Sequence, residues 1–476
     1  MRDKLDARTK WSYCIGATGR DAAYALVSMY LILYVQYTMN LTSAQFAVIS
    51  GAMILCMVWD AINDLLMGII IENTHFKMGK FKPWILAGSL TNAIVIVCLF
   101  TIRPSGWGFV AFYSLFYLLW GMTYTMNDIA YWGVLPSLSS DPGTRDSLVT
   151  IMSIFVCIGQ FSVAGVVPVV IAGNAVKAYR IVAVVVALCL IAFQMLTAFG
   201  IKENDREEQK DKLSLKDMYH IFMRNDQLVA AGIASIFFNI TCNILIIFGV
   251  NFFYIEYGYS ESGNLVFYFT VMYGLGMLIS QASYATLAKY FTRQKMLNVC
   301  FAALLIGYAC FMGFGYVLPK NVVLLNAIGF VIFFFQGLMN LVIIVMINNT
   351  IEYDEARFHE RHDSVISAVR SFSVKLAGGI NQGLSTLVLI VSGIYAKSRS
   401  ISALEIEVNR GEISSEAALA EANRYIGEIT TAQGILFRVG MVLIPLIALA
   451  ISYMIIRKKY HIDEAEYAKL VEKTRT

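Results

Sequence analysis

Charged residues are scarce in this chain. Asp, Glu, Lys and Arg make up only 15% of its 476 residues, whereas 58% are hydrophobic. A soluble protein carries about 25% charged residues. The net charge of +4 is too small to suggest a nucleic-acid-binding protein. The composition therefore argues against an ordinary soluble domain and predicts a protein that crosses a membrane.

Histidine, proline and paired cysteine are also sparse. The chain has five histidines and seven prolines, and its eight cysteines lie singly in apolar runs without a CxxC pair. This spacing predicts small buried thiols and supports neither a metal site nor a disulfide framework. The charged start MRDKLDARTKW is followed by no small-residue cleavage site, so we expect a retained first span rather than a signal peptide.

Long apolar runs are what the sequence has in abundance. A helical span needs about 20 apolar residues, and the chain contains about twelve such runs. The predicted spans are 12–38, 44–72, 82–102, 107–135, 148–173, 179–201, 227–255, 263–289, 295–317, 321–351, 364–395 and 432–456. Lys and Arg concentrate in alternate connections, which predicts that both termini are cytoplasmic.

The most highly charged stretch, 202–226, separates two blocks of six spans. We interpret it as a cytoplasmic linker between an N-terminal six-helix bundle (1–201) and a C-terminal six-helix bundle (227–457), with a cytoplasmic tail at 458–476. An all-α membrane protein of twelve transmembrane helices in two bundles is typical of secondary transporters, which bind their ligands near the membrane midplane. The long connection 396–431 is interpreted as a lid or, more simply, as a tolerated surface insertion.

Four carboxylates lie well inside the predicted spans of the first half: Asp21, Asp60, Asp64 and Asp128. An ionisable group in a spanning helix costs about 2.5 to 3.5 kcal/mol on insertion scales, so it marks function by default. In the second span, WDAINDLLMG places Asp60, Asn63 and Asp64 at i, i+3 and i+4. One helix face therefore carries three oxygen-bearing side chains that can converge on a small ion.

A second oxygen cluster is predicted in the fourth span. Thr125, Asp128 and Trp132 share one stripe of that helix. Oxygen ligands without His or Cys favour a hard cation over zinc or copper. A proton competes, because neighbouring carboxylates raise one another's pKa values and can share a proton. The coupling ion is therefore Na⁺ or H⁺, with the non-titrating Asn63 and Thr125 favouring a metal ion.

Positive charge and aromatic rings accompany these carboxylates. Arg20 adjoins Asp21, and Lys375 lies in the eleventh span, where we expect it to approach the carboxylates across a central cavity. Snorkelling of this lysine to a nearby interface is the alternative. Rings that would suit a ligand with apolar faces and hydroxyls, such as a sugar, are Tyr24, Tyr124, Tyr131 and Trp132.

Several stretches, in this order and spacing, give the chain a family resemblance. They are GRDAAYA at 19–25, WDAINDLLMG at 59–68, MGKFKPW at 78–84, WGMTYTMNDIAYW at 120–132, TIEYDE at 350–355 and SVKLAGG at 373–379. With them the sequence resembles the glycoside-pentoside-hexuronide:cation symporters of the major facilitator superfamily. The resemblance implies a carrier that couples entry of Na⁺ or H⁺ to uptake of a sugar or glycoside by alternating access.

The resemblance also assigns roles to residues. The implied cation site is Asp60, Asn63, Asp64, Thr125 and Asp128. The implied sugar site is Arg20, Asp21, Tyr124, Asp128, Trp132 and Lys375. The MGKFKPW loop resembles the family's gating loop, and the implied gating residues are Glu72, Lys80 and Lys82.

Two positions depart from the family pattern. Leu65 replaces a frequent proline, which predicts a straighter second helix. Ser153 stands where an α-galactoside carrier of the family places an arginine in its fifth span, which weakens the case for an α-galactoside substrate.

Rival functions are a membrane-embedded enzyme, a channel, a carrier of lipids or other amphiphiles, and a proton-only sugar symporter. The sequence shows no nucleotide-binding loop and no metal-ligand cluster, which argues against an enzyme. A channel would need a ring of carboxylates rather than a cluster in one half of the chain. We therefore predict a symporter that is not an enzyme and holds no bound cofactor. Its expected partners are a small sugar or glycoside and the surrounding membrane lipids, and no nucleic acid is expected. It is expected to work as a monomer in the inner (plasma) membrane.

Overall fold

The computed structural model describes residues 5–74, 76–139, 142–171, 173–202, 215–358 and 363–475. Their backbone is organised as a series of long helices. Those of the first half are α1 (Ala7–Ala25), α2 (Leu31–Thr38), α3 (Ser43–Glu72), α4 (Lys82–Thr101), α5 (Gly106–Gly133), α6 (Leu135–Leu138), α7 (Pro142–Val170) and α8 (Ala175–Gly200). A π-helical turn, Leu26–Tyr30, joins α1 to α2.

The second half continues in the same manner. Its helices are α9 (Leu215–Arg224), α10 (Asp226–Tyr257), α11 (Ser262–Tyr290), α12 (Arg293–Gly313), α13 (Val322–Asn348), α14 (Thr350–Phe358), α15 (Asp363–Val391), α16 (Ile394–Arg410), α17 (Ser415–Gly427), α18 (Thr431–Lys459) and α19 (Glu464–Arg475).

Within the described residues, eleven helices are long and apolar enough to cross a membrane. The remaining predicted span, 12–38, corresponds to α1 and α2, which the π turn links into one interrupted helix at 7–38. A π turn adds a residue to the hydrogen-bonding ring and interrupts the regular helical ladder. The predicted and observed bounds of the spans agree to within a few residues at most ends, so the all-α, twelve-helix prediction is confirmed.

Local signals in the sequence explain where helices begin. α3 starts with a capping box, in which Thr42 Oγ1 accepts from Gln45 N at 3.3 Å while Gln45 Oε1 accepts from Thr42 N at 2.9 Å. These reciprocal bonds satisfy backbone donors that have no partner inside the helix. α4 starts with Pro83 in its first turn, where a missing N–H costs nothing.

The chain divides into two compact units. The first comprises Met1–Gln209, Phe253–Phe267 and Leu389–Gln433, and the second comprises Lys210–Phe252, Tyr268–Val388 and Gly434–Thr476. The first unit therefore contains two segments that follow the first half in sequence. The domain boundaries expected from the charge pattern stay a prediction.

Buried polar bonds join helices inside each unit. In the first, Gln194 of α8 is fully buried, donates to Gly16 O of α1 at 2.8 Å, and accepts from Asn127 Nδ2 of α5 at 3.1 Å. In the second, Gln336 of α13 donates to Tyr308 Oη at 2.9 Å. Polar bonds of this kind hold helices together where water cannot reach backbone and amide groups.

Residues 394–427 form a helical hairpin, α16–α17, that packs on the rest of the first unit. Tyr395 is 1% exposed, donates to Leu41 O at 3.1 Å and stacks on Phe46 with ring centroids 4.3 Å apart. Arg399 Nε donates to Asn40 Oδ1 at 2.7 Å. The amphipathic helices of this stretch thus bury polar and aromatic side chains against their neighbours, and the choice between a lid and a tolerated surface insertion stays a prediction.

A buried carboxylate anchors the hairpin. Glu405 is 2% exposed, and its oxygens accept from Ala175 N at 2.7 Å and from Tyr259 Oη at 2.8 Å. Ala175 begins α8, and a helix N-terminus favours a carboxylate. Burial nevertheless raises the pKa of Glu405, and the two hydrogen bonds offset part of that rise.

The raised pKa of Glu405 predicts that the stability of the α16–α17 hairpin depends on pH. The pKa of Glu405 in the folded protein lies above the ordinary value of about 4.3. The stability that Glu405 contributes to the folded hairpin is therefore fully present below that ordinary value and is lost as pH rises through the folded-state pKa. We expect amide hydrogen exchange in residues 394–427, corrected for intrinsic rates, to be faster at mildly alkaline than at mildly acidic pH. Glu405→Gln should remove the difference, whereas the exposed Glu416→Gln should retain it. Equal pH dependence in all three proteins would refute the assignment.

Candidate binding site

An ion-paired cluster joins α1 to α5. Arg20 is 3% exposed, and its Nε and Nη2 donate to Asp21 Oδ2 at 3.0 and 2.7 Å. Its Nη1 lies 3.1 Å from Asp128 Oδ1. One guanidinium therefore pairs with two carboxylates: it donates two hydrogen bonds to one oxygen of Asp21 and forms an ion pair with Asp128.

Aromatic rings enclose the guanidinium. Arg20 Cζ lies 4.5 Å from the centroid of the Tyr131 ring and 5.7 Å from that of Trp132, and Tyr131 stacks on Tyr13 at 4.7 Å. Cation–π contacts of this kind are stronger where water is excluded. Tyr131 is fully buried, whereas Trp132 is 41% exposed, so of the two rings it is Trp132 that remains accessible to a ligand.

The carboxylates of α3 meet α5 at a second cluster. Thr125 Oγ1 donates to Asp64 Oδ1 at 2.9 Å. Asn63 is 4% exposed and Asp60 is half-buried on the same helix. The predicted i, i+3, i+4 face of α3 is therefore realised, and an oxygen of Asp64 is brought against the hydroxyl of Thr125.

Gly121 makes room for Asp60. A Cβ atom at this position of α5 would lie 2.4 Å from Asp60 Oδ1, which is far inside van der Waals contact. A side chain there would displace the carboxylate. This requirement was not apparent from the sequence, because a glycine in a membrane helix has many possible packing roles.

Helix α5 links the two clusters. Thr125 and Asp128 are separated by about one helical turn, and they contact Asp64 of α3 and Arg20 of α1 respectively. Among the described residues, no group of three or more His, Cys, Asp and Glu side chains is arranged to hold a metal ion. A cation at the α3–α5 cluster would therefore need neutral oxygens, such as those of Thr125 and Asn63, together with the carboxylates.

A row of aromatic residues follows the same helix. Trp120 is 5% exposed, and its ring centroid lies 5.8 Å from that of Tyr124. Tyr24 of α1 packs 5.2 Å from Tyr124 and 6.1 Å from Trp120. The sequence pointed to Tyr24 and Tyr124 but not to Trp120, which places an additional large ring beside them.

A glutamine from α7 completes the first cluster. Gln160 Nε2 donates to Asp21 Oδ1 at 3.1 Å. The sequence did not suggest this residue, since a single amide in an apolar helix is a weak signal. Ser153, at the family's arginine position, is exposed and donates to Val149 O of its own helix at 2.8 Å.

The remaining predicted site residues belong to α15, to the MGKFKPW loop and to the end of α3. Lys375 is half-buried on α15 in the second unit, and its approach to the carboxylates stays a prediction. The ammonium of Lys80 lies 5.4 Å from the Phe81 ring, and Lys82 begins α4. The side chains of Glu72 and Leu65 lie outside the described residues, although α3 runs without interruption through position 65. A gating role for the loop stays a prediction.

Known proteins resemble this chain over nearly its whole length. A lactose permease of Lactobacillus delbrueckii subsp. bulgaricus is 25% identical over an alignment that covers 100% of this chain and 73% of that protein. The raffinose carrier protein of Pediococcus pentosaceus is 24% identical, with 96% of this chain and 70% of that protein covered.

Solved structures share the fold. A bacterial homologue of the human lysosomal transporter Spinster, in an inward-facing conformation, has a TM-score of 0.65 at 12% identity and covers 99% of both chains. A D-xylose–proton symporter has a TM-score of 0.61 at 12% identity, with 90% of this chain and 98% of that chain covered. At this level of identity the likeness is one of fold.

The family pattern described as MFS/sugar transport protein matches residues 12–410. This match covers the α1, α3 and α5 clusters and most of both halves. The family consists of multi-pass membrane transporters, in agreement with the prediction of a carrier rather than an enzyme. The chain therefore belongs to the MFS/sugar transport protein family of the major facilitator superfamily.

Proposed function

We propose that this protein is a secondary active transporter that couples entry of a cation, Na⁺ in the first instance, to uptake of a sugar or glycoside. The observation that carries the proposal is the pairing of two clusters on α5, where Thr125 contacts Asp64 and Asp128 contacts Arg20. A ligand at either cluster would act on the same helix, which provides a physical route for coupling. Relatives named lactose permease and raffinose carrier support a sugar substrate.

The two clusters suit different ligands. Asp60, Asn63, Asp64 and Thr125 offer carboxylate, amide and hydroxyl oxygens, and Thr125 is bonded to Asp64, so a small hard cation suits them. Asp128 and the half-exposed Trp132 offer an acceptor for hydroxyls and a ring face for a pyranose. Alternating access follows if the loaded carrier favours the opposite-facing state.

The energetics of such coupling are sufficient for accumulation. One cation that enters down a negative-inside potential contributes about 2.3 kcal/mol per 100 mV, which corresponds to about fiftyfold accumulation. The proposed location is the inner (plasma) membrane with both termini in the cytoplasm, on the basis of the Lys and Arg distribution. We further propose that the monomer is the working unit.

The proposal is tested by uptake into proteoliposomes. Lactose, raffinose, isoprimeverose and methyl glycosides would be offered with Na⁺ and H⁺ gradients imposed separately. We expect accumulation of at least one sugar that collapses when the gradient is dissipated. Accumulation with a proton gradient alone would reassign the ion. Absence of accumulation under both gradients, with protein present in the membrane, would refute sugar symport.

Asp128→Asn should weaken sugar binding. The substitution removes the charge that strengthens hydrogen bonds from hydroxyls, and such bonds contribute about 1.5 to 3 kcal/mol, or roughly ten- to hundredfold in affinity. Equilibrium binding to the purified protein measures the effect. The matched control is Ser114→Ala on the same helix. The Ser114 hydroxyl donates to Val110 O within α5. Unchanged affinity in Asp128→Asn would remove this residue from the sugar site.

A further inference from the structure

Gln160 reaches Asp21 because α7 lies in backbone contact with α1. A Cβ atom at the adjacent Gly159 would lie 2.3 Å from Thr18 O and 3.1 Å from Ala22 N. The two helices are therefore as close as backbones permit at this point. This contact fixes the distance from which the Gln160 amide donates to Asp21 Oδ1.

The hydrogen bond from Gln160 occupies one of the acceptor positions of the Asp21 carboxylate. A carboxylate offers about four lone-pair sites. Two N–H groups of Arg20 bind Oδ2, and Gln160 binds Oδ1. The Asp21 side chain is 8% exposed, compared with 30% for Asp128. Asp21 is thus held on both oxygens, whereas Asp128 is the more accessible acceptor.

The position of Gln160 differs from that of a purely structural glutamine. Gln194 is fully buried and bonds to a backbone carbonyl and to an amide. Gln160 is half-buried and bonds to a carboxylate that is itself paired with the guanidinium shared by Asp128. Its amide therefore acts on the charged cluster rather than on helix packing alone.

We infer that Gln160 is a positioning residue that sets sugar selectivity by fixing the orientation of Asp21 and leaving about one acceptor site on that carboxylate for a substrate hydroxyl. The inference rests on the proposed sugar transport. A single fixed acceptor favours the epimer whose hydroxyl points to it. Without the amide, Oδ1 can turn and accept a differently placed hydroxyl, so the preferred sugar loses affinity and the disfavoured epimer gains.

The test compares epimers in Gln160 variants. Methyl β-D-galactopyranoside and methyl β-D-glucopyranoside, which differ at one hydroxyl, would be bound to the purified full chain. We expect Gln160→Leu to weaken the preferred glycoside about tenfold and to reduce the ratio of the two affinities. Ser162→Ala, which removes an exposed hydroxyl bonded within α7, should leave both values unchanged.

A second variant separates positioning from packing. Gln160→Glu retains the shape, donates to Asp21 only when protonated, and repels it when ionised. Its affinity for the preferred glycoside should therefore recover as pH falls, over a range in which the wild-type affinity changes little. Wild-type epimer ratios in Gln160→Leu, together with a wild-type pH profile in Gln160→Glu, would overturn the inference.

A sugar-independent readout distinguishes failure of this inference from failure of the proposed function. Carbodiimide modification of Asp21, followed by mass spectrometry, reports whether the carboxylate is held. We expect several-fold faster modification in Gln160→Leu than in wild type or Ser162→Ala. If wild type accumulates none of the offered sugars under either gradient but this acceleration is seen, the proposed function fails and the positioning role stands. Equal modification rates in all three proteins would refute positioning itself.

Discussion

Replacement of Asp64 by asparagine is expected to abolish cation-driven accumulation while protein remains in the membrane. Asp64 accepts from Thr125 at 2.9 Å, and its negative charge is the attraction that a coupling ion would gain in this apolar setting. Without that charge, the gradient can no longer act on the carrier. Uptake should fall from about fiftyfold accumulation at 100 mV to simple equilibration, as measured in proteoliposomes.

The contacts of α5 supply controls for this experiment. Thr125→Val removes a proposed neutral ligand of the cation and the hydrogen bond to Asp64, so a partial loss of accumulation is expected. Ser114→Ala changes a hydroxyl of the same helix that bonds to Val110 O and should accumulate sugar normally. Near-normal sugar accumulation in Asp64→Asn would contradict the assignment of the cation site.

Arg20→Met is expected to have the largest effect on stability. Arg20 is buried and paired with Asp21 and Asp128, and removal of one partner of a buried ion pair costs about 3 to 5 kcal/mol because the remaining charge is left uncompensated. Thermal unfolding in detergent should show a markedly lower midpoint, and sugar binding should be lost in the folded fraction.

The double variant Arg20→Met/Asp21→Leu tests the reason for that loss. Replacement of Arg20 and Asp21 by apolar groups removes the more buried of the two paired carboxylates and leaves Asp128, whose side chain is 30% exposed, so part of the stability should return. Sugar binding should not return, because two of the proposed ligand groups, Arg20 and Asp21, are gone. If the double variant is as unstable as the single one, Arg20 stabilises the fold through its contacts with Asp128, Tyr131 and Trp132 rather than through its ion pair with Asp21.

The helices and the α3 face were predictable because they depend on local periodicity. Spans follow from runs of about 20 apolar residues, and Asp60, Asn63 and Asp64 share a face because a helix turns once every 3.6 residues. The pairing of Thr125 with Asp64 was suggested by residue type and by family resemblance rather than by spacing, since it joins residues on different helices.

The remaining contacts depend on how distant segments pack. Gln160 and Asp21 meet because Gly159 allows α7 to approach α1, and a sequence gives no direct measure of that approach. Arg20 and Asp21 are neighbours on one helix, a spacing at which side chains ordinarily do not face each other, yet the long guanidinium bends back to its neighbour. Glu405 looked like one of many acids in a polar connection, and its burial follows from contacts with Ala175 and Tyr259.

Reciprocal binding measurements test the central claim most directly. Titration calorimetry would give the affinity for the best-accumulated sugar with and without Na⁺, and the affinity for Na⁺ with and without that sugar. Because linkage is reciprocal, the account predicts that each ligand strengthens the other by the same factor, and that Asp64→Asn removes this factor. A sugar affinity that is independent of Na⁺ and accompanied by no proton uptake or release would contradict a coupled carrier.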